Sequence, residues 1–87
     1  MNVEILTPRK LEFKEEADCV VLPTLVGEIA VLPNHDSLIS VLKPGRIKIK
    51  NKDKENSFEI EGGVAEVAEN SVVILLKKFY TSQGAET

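Results

Sequence analysis

Apolar residues in this chain recur at every second position over short runs: Val3 and Ile5, Leu11 and Phe13, Ile47 and Ile49, Phe58 and Ile60, Ala65 and Val67. No helical stripe persists for more than about two turns. Successive side chains of an extended strand point to opposite faces, so each run offers one face to a core and the other to water. Between the runs stand Thr7-Pro8, Pro23-Thr24, Pro33-Asn34, Pro44-Gly45, the stretch Asn51 to Asn56, and Glu69-Asn70, all rich in residues that favour turns. Short strands at this spacing predict an all-β chain, a two-sheet β-sandwich of short, mostly antiparallel strands. Residues 46–50 are expected to turn Ile47 and Ile49 inward and Arg46, Lys48 and Lys50 outward. The segment from His35 to Leu42 stays open, because Leu38 and Leu42 also suit a helical turn.

Two runs break the alternation. Cys19-Val20-Val21-Leu22 and Val72-Val73-Ile74-Leu75-Leu76 are apolar at every position, which predicts strands covered on both faces. One face of a small sandwich packs on the opposite sheet, so the other face needs a partner.

Eighty-seven residues make one domain, and a chain of this size buries only about 60% of the surface its unfolded form exposes. Its stability is therefore modest, or shared with a partner. With 43% apolar and 29% charged residues the composition is that of a globular domain. No apolar run approaches the ~20 residues that span a bilayer as a helix, and Met-Asn-Val-Glu lacks the character of a signal peptide; a cytosolic location is expected. Residues 1–80 are read as the domain and the small, polar residues 81–87 as a frayed tail.

Candidates for chemistry are few. Cys19 lies in an apolar strand and is read as an inert core thiol; a lone cysteine makes no internal disulfide, and with a single histidine elsewhere no structural zinc site. His35 has Asp36 beside it, but neighbours on an extended chain face opposite ways and make a poor base and orienter; its plain reading is a turn histidine that hydrogen-bonds local backbone. Gly62-Gly63 has neither phosphate-loop spacing and reads as a turn or bulge needing positive φ. Pro44-Gly45 fits a tight turn with the glycine in the left-handed position.

The charge of −3 is unevenly distributed. Lys43, Arg46, Lys48, Lys50, Lys52 and Lys54 crowd one segment, and five glutamates without a basic residue occupy residues 55–75. A basic strand face invites a nucleic-acid reading, yet the ribbon holds no aromatic residue for base stacking. A solvated face balanced by Glu59 and Glu61 on the next strand is the plainer reading. No catalytic residues, metal or cofactor are expected.

The run Gly27-Glu28-Ile29-Ala30-Val31-Leu32-Pro33-Asn34-His35-Asp36-Ser37-Leu38, then Leu42-Lys43-Pro44-Gly45 and the strand Arg46-Ile47-Lys48-Ile49, resembles the signature of the epsilon subunit of the F-type ATP synthase. Val3-Glu4-Ile5-Leu6-Thr7-Pro8, the Ala17-Asp18 to Pro23 run and Gly62-Gly63-Val64-Ala65-Glu66-Val67 fall in family order, so the resemblance covers roughly residues 2 to 77. Ile29-Ala30 stands where an aromatic and a glycine are usual, and Asp36-Ser37 where a small residue and proline are common.

The resemblance implies the N-terminal β-sandwich of a non-catalytic rotor subunit, with a strand after His35. The partners it implies are the gamma subunit and the ring of c subunits, in coupling proton or sodium transport to ATP synthesis. It implies association with the cytoplasmic face of a bacterial inner membrane only through the complex. Glu28, Pro33 and His35 are expected on one loop at the c-ring edge, held to the core by Val31 and Leu32. Val41, Leu42, Pro44 and Gly45 are expected on the gamma side. The nucleotide-binding and inhibitory functions of the family map to a helical hairpin whose residues are not in this sequence. The rival reading is a free-standing β-sandwich module that binds a small ligand or nucleic acid.

Overall fold

In a computed structural model, described here for residues 1–79, the alternating runs form nine strands and no helix among the described residues. They are β1 (Asn2–Leu6), β2 (Leu11–Glu16), β3 (Cys19–Thr24), β4 (Gly27–Val31), β5 (Leu38–Leu42), β6 (Gly45–Asn51), β7 (Lys54–Ile60), β8 (Gly63–Ala68) and β9 (Ser71–Leu75). The segment left open from His35 to Leu42 is thus a strand from Leu38 onward. The expected tail, residues 81–87, lies outside the described residues.

Hydrogen bonding runs β2-β1-β9-β8-β5-β3-β6-β7, with β4 added to β3. Only β1 and β9 pair in parallel. The ladder curls into two layers, β2-β1-β9-β8-β5 and β4-β3-β6-β7, joined where Thr24 of β3 meets Leu42 of β5. At the far ends of the path β2 and β7 close on each other: Phe13 meets Phe58 edge-on at 5.2 Å, and Phe79 stacks at a tilt on Phe58 at 4.9 Å. Between the layers the Asp18 N–H donates to the Lys50 carbonyl at 2.7 Å, and Asn51 Nδ2 donates to the Glu16 carbonyl at 3.0 Å.

The core takes the inward residues of the alternating runs, among them Val3, Ile5, Ile47, Ile49, Ala65 and Ile74; the expected Leu11–Phe13 alternation fails, because a register shift between Ile5 and Leu6 leaves Phe13 opposite buried Ile5 and Leu11 exposed opposite Leu6. Arg46 and Lys50 are exposed and Lys48 half-buried, as the alternation of β6 requires. Each fully buried Leu, Ile or Val contributes roughly 1.5–3 kcal/mol relative to its exposed state, so these one-sided strands account for most of what holds the layers together.

Four local expectations are corrected. Cys19 is half-buried and lies beside Lys50 on the outer face, because Val20 and Leu22 take the core positions. The two wholly apolar runs alternate like the others, with Val21 and Val73 half-buried and Leu75 exposed. The turn read over Asn51 to Asn56 shrinks to Lys52 and Asp53, with Lys52 at φ 56° and its N–H held by Asp18 Oδ2 at 2.8 Å. Gly45 is absent from the left-handed region; its requirement is a close approach, since a Cβ there would lie 3.0 Å from Pro23 Cβ. Gly62 and Gly63 do have positive φ, 116° and 158°. At Gly63 a Cβ would come 2.4 Å from the Leu75 carbonyl oxygen, so β8 abuts β9 there with no room for a side chain.

Candidate docking surfaces

The hairpin between β3 and β4 turns on Leu25 and Val26, which are 66% and 93% exposed. Large apolar side chains at such a tip are costly to leave in water, yet this tip is held rigidly. Buried Thr24 donates from Oγ1 to the Gly27 carbonyl at 2.5 Å and accepts from the Val26 N–H at 3.3 Å. The Leu25 N–H donates to the Val41 carbonyl at 3.2 Å, and the Lys43 N–H to the Pro23 carbonyl at 2.9 Å. The result is a fixed apolar prong, already ordered before any partner arrives.

Glu28 stands exposed beside this prong, opposite Pro23 in the ladder, and Pro23 in turn packs against Gly45. Pro44 and Gly45 therefore share an end of the sandwich with Glu28. His35 does not. The expected single loop from Glu28 to His35 is interrupted by β4, and Glu28 and Val31 alone are separated by about 10 Å of extended chain. His35 sits half-buried beyond the opposite end of β4, in a turn where Asn34 has φ 66°. Its N–H donates to the Leu32 carbonyl at 3.2 Å, and its Nδ1 donates to the Asp36 carbonyl at 2.8 Å. Pro33 is exposed in the same turn. Of its expected anchors Val31 is buried, but Leu32 is 55% exposed.

The expected gamma-side residues also divide. Leu42 is 3% exposed and belongs to the core, whereas its strand neighbours Val41 and Ile39 face outward, Ile39 at 72%. From Val41 a row of outward side chains crosses the whole layer, each directly opposite the next: Val41, Val64, Leu75, Leu6 and Leu11. Four strand spacings make this apolar row about 19 Å long. The adjacent row reads Ile39, Glu66, Val73, Glu4 and Lys14, with Lys14 3.8 Å from Glu4.

At the Leu11 end the row opens into a cavity of about 920 Å³, floored by these aliphatic residues and bordered by Arg9, Lys10, Lys77 and Lys78 and by one carboxylate, Glu61. Sequence reasoning missed this row and the prong. Two large apolar residues in a turn between Thr24 and Gly27 are a legible signal for the prong, whereas the row depends on which strands pair.

The outer face of the other layer carries the basic ribbon. Arg46 Nε lies 3.2 Å from Glu59, Lys48 is opposite Ser57 and Lys50 opposite Glu55. Glu61, expected to balance the ribbon, lies beyond the last pair of that ladder. Among the described residues no group of three or more His, Cys, Asp and Glu side chains could hold a metal ion.

The chain is 46% identical over 76 residues to the ATP synthase epsilon chain of Campylobacter curvus, covering 86% of this chain and 59% of that protein. It is 37% identical over 87 residues to the chloroplastic epsilon chain of Tetradesmus obliquus, covering 100% and 62% respectively. The chain thus spans about three-fifths of the length of these relatives.

Among solved structures, a chain of the Euglena gracilis mitochondrial ATP synthase (OSCP/F1/c-ring, rotational state 1) superposes with a TM-score of 0.83 at 23% identity. That match covers 90% of this chain and 51% of that one. A chain of the Tetrahymena thermophila mitochondrial ATP synthase central stalk and c-ring gives 0.77 at 22% identity, covering 92% and 65%. At these identities the structures establish the shared fold. The family model for the ATP synthase delta/epsilon chain beta-sandwich domain matches residues 1–82, nearly the whole sequence, and the chain belongs to that family.

Proposed function

We propose that this chain is a non-catalytic subunit of the central stalk of a rotary ATP synthase, joining the gamma subunit to the c-ring and carrying torque between ion flow and ATP synthesis. The observation that carries this reading is the pair of preformed docking surfaces, the five-strand apolar row and the hydrogen-bonded Leu25-Val26 prong. A torque-bearing part has to transmit load through packed strands, and both surfaces are backed by the core.

In this reading the c-ring contact is made by Glu28 with the prong, and Pro44 and Gly45 lie at that same end. Val41 and Ile39 begin the gamma-facing side, with Pro33 and His35 at its far edge. The whole acts at the cytoplasmic face of a bacterial inner membrane, peripherally and through the complex alone, without cofactor or chemistry of its own. The relatives' names and the central-stalk and c-ring setting of the Tetrahymena structure support it. The nucleic-acid or ligand-module alternative loses its one support, because the basic ribbon is partly paired and faces Ser57 and Glu55. Co-purification of the tagged chain with gamma and with c-ring tests the proposal; retention of neither refutes it.

A further inference from the structure

We infer that the partner seated on the apolar row presents an apolar ridge flanked by carboxylates, and that Arg9, Lys10, Lys77 and Lys78 steer it into register. This rests on the reading of that face as the gamma-docking side and specifies the chemistry of the partner there.

The four cations come from two separate segments, the β1–β2 connection and the stretch after β9, and border one cavity. Among the described residues none of the four has an ion pair, whereas Lys14 and Arg46 elsewhere on the sheets do. Such convergence is unfavourable in the isolated domain, since like charges repel and Glu61, the one carboxylate lining the cavity among the described residues, does not balance four cations. An acidic partner removes that cost. The cavity floor is aliphatic, with Leu6, Leu11, Val64 and Leu75, and no aromatic ring lines it among the described residues, so it suits a protein side-chain ridge better than a stacked nucleotide base.

The chain as a whole is acidic, at −3. An acidic surface is therefore repelled from most orientations and attracted at this corner, which is the condition under which charge sets encounter geometry and association rate more than residence time. The apolar row governs the residence time.

The test uses the full chain and the gamma subunit, with association and dissociation rates measured at about 50 mM and about 500 mM salt, where screening differs strongly. Charge-removing replacement of all four, Arg9→Gln, Lys10→Gln, Lys77→Gln and Lys78→Gln, should slow association at low salt by about tenfold or more and flatten its salt dependence. The dissociation rate should change by less than about twofold. Leu75→Ser should do the reverse, speeding dissociation with little effect on association. Circular dichroism of each variant checks that it is folded, and replacement of the cations in pairs serves if the quadruple variant is not. A wild-type chain that binds gamma at the same rate as the folded quadruple variant overturns the inference alone. A wild-type chain that does not bind gamma overturns the reading beneath it as well. Pyrophosphate or phosphatidylglycerol vesicles bound through the four cations, with gamma association unaffected, would show an anion or lipid site and also overturn it.

Discussion

Replacing both prong residues, Leu25→Ser with Val26→Ser, separates docking from folding more sharply than any other change to this chain. The two side chains are 66% and 93% exposed, so the domain itself gains little from them. Full burial of a Leu or Val is worth roughly 1.5–3 kcal/mol. Scaling by the exposed fraction leaves about 1–2 kcal/mol for Leu25 and about 1.4–2.8 for Val26 to be gained only on docking. If a partner covers both, the double substitution removes about 2.5–4.5 kcal/mol, a loss of roughly 10²- to 10³-fold in affinity at 1.4 kcal/mol per decade. Unfolding stability should meanwhile stay within about 0.5 kcal/mol, since the tip's hydrogen bonds come from Thr24 and the backbone and survive the change. Urea unfolding gives the second quantity, and co-sedimentation with reconstituted c-ring gives the first. A variant that unfolds normally and binds the ring within about threefold of wild type, less than 1 kcal/mol, refutes the assignment of the prong as an anchor.

Other outcomes follow from the same geometry. Ile49→Ala, at a position 1% exposed, should lower unfolding stability by about 2–5 kcal/mol in chemical denaturation and affect assembly only through unfolding. Gly63→Ala places a Cβ 2.4 Å from the Leu75 carbonyl oxygen and should destabilise by about 1–3 kcal/mol in the same assay; a neutral result would mean that β8 and β9 do not abut there. Cys19, half-buried on the outer face, should react with an aromatic disulfide reagent in the folded state. Protection until denaturant is added would return it to the core. Glu28→Gln and His35→Ala should each leave stability within about 0.5 kcal/mol, but only the first should weaken binding to the c-ring; equal effects on the ring would contradict their separation by β4.

Period-two alternation made a strand legible wherever it had a polar face to contrast with its apolar one. Ile47 and Ile49 against Arg46, Lys48 and Lys50 leaves only one phase for β6. The same reasoning could not fix Cys19. In a run apolar at every position the contrast vanishes, and the phase is set instead by which residues meet the opposite layer; Val20 and Leu22 do, so Cys19 and Val21 face out. Gly45 shows a different limit, because a glycine answers equally to a left-handed φ or to a close neighbour. Here the neighbour is Pro23, distant in sequence.

The docking surfaces were legible only so far as they are local. Leu25 and Val26 adjoin each other in the chain, and their position between Thr24 and Gly27 suffices to suggest an exposed tip. The apolar row draws one residue from each of five strands, and its existence depends on β1 lying parallel to β9 with Leu6 opposite Leu75. A shift of that pairing by one residue would set Leu6 against Ile74, placing an outward side chain beside a buried one and breaking both the row and the core. The row is therefore a product of register, and register is enforced by the core: Val3 and Ile5 lie beside Val72 and Ile74, all four fully buried. The inner residues that stabilise the sandwich thereby align the outer ones, which explains how a domain with so few chemically distinctive side chains can present an extended, specific surface to a partner.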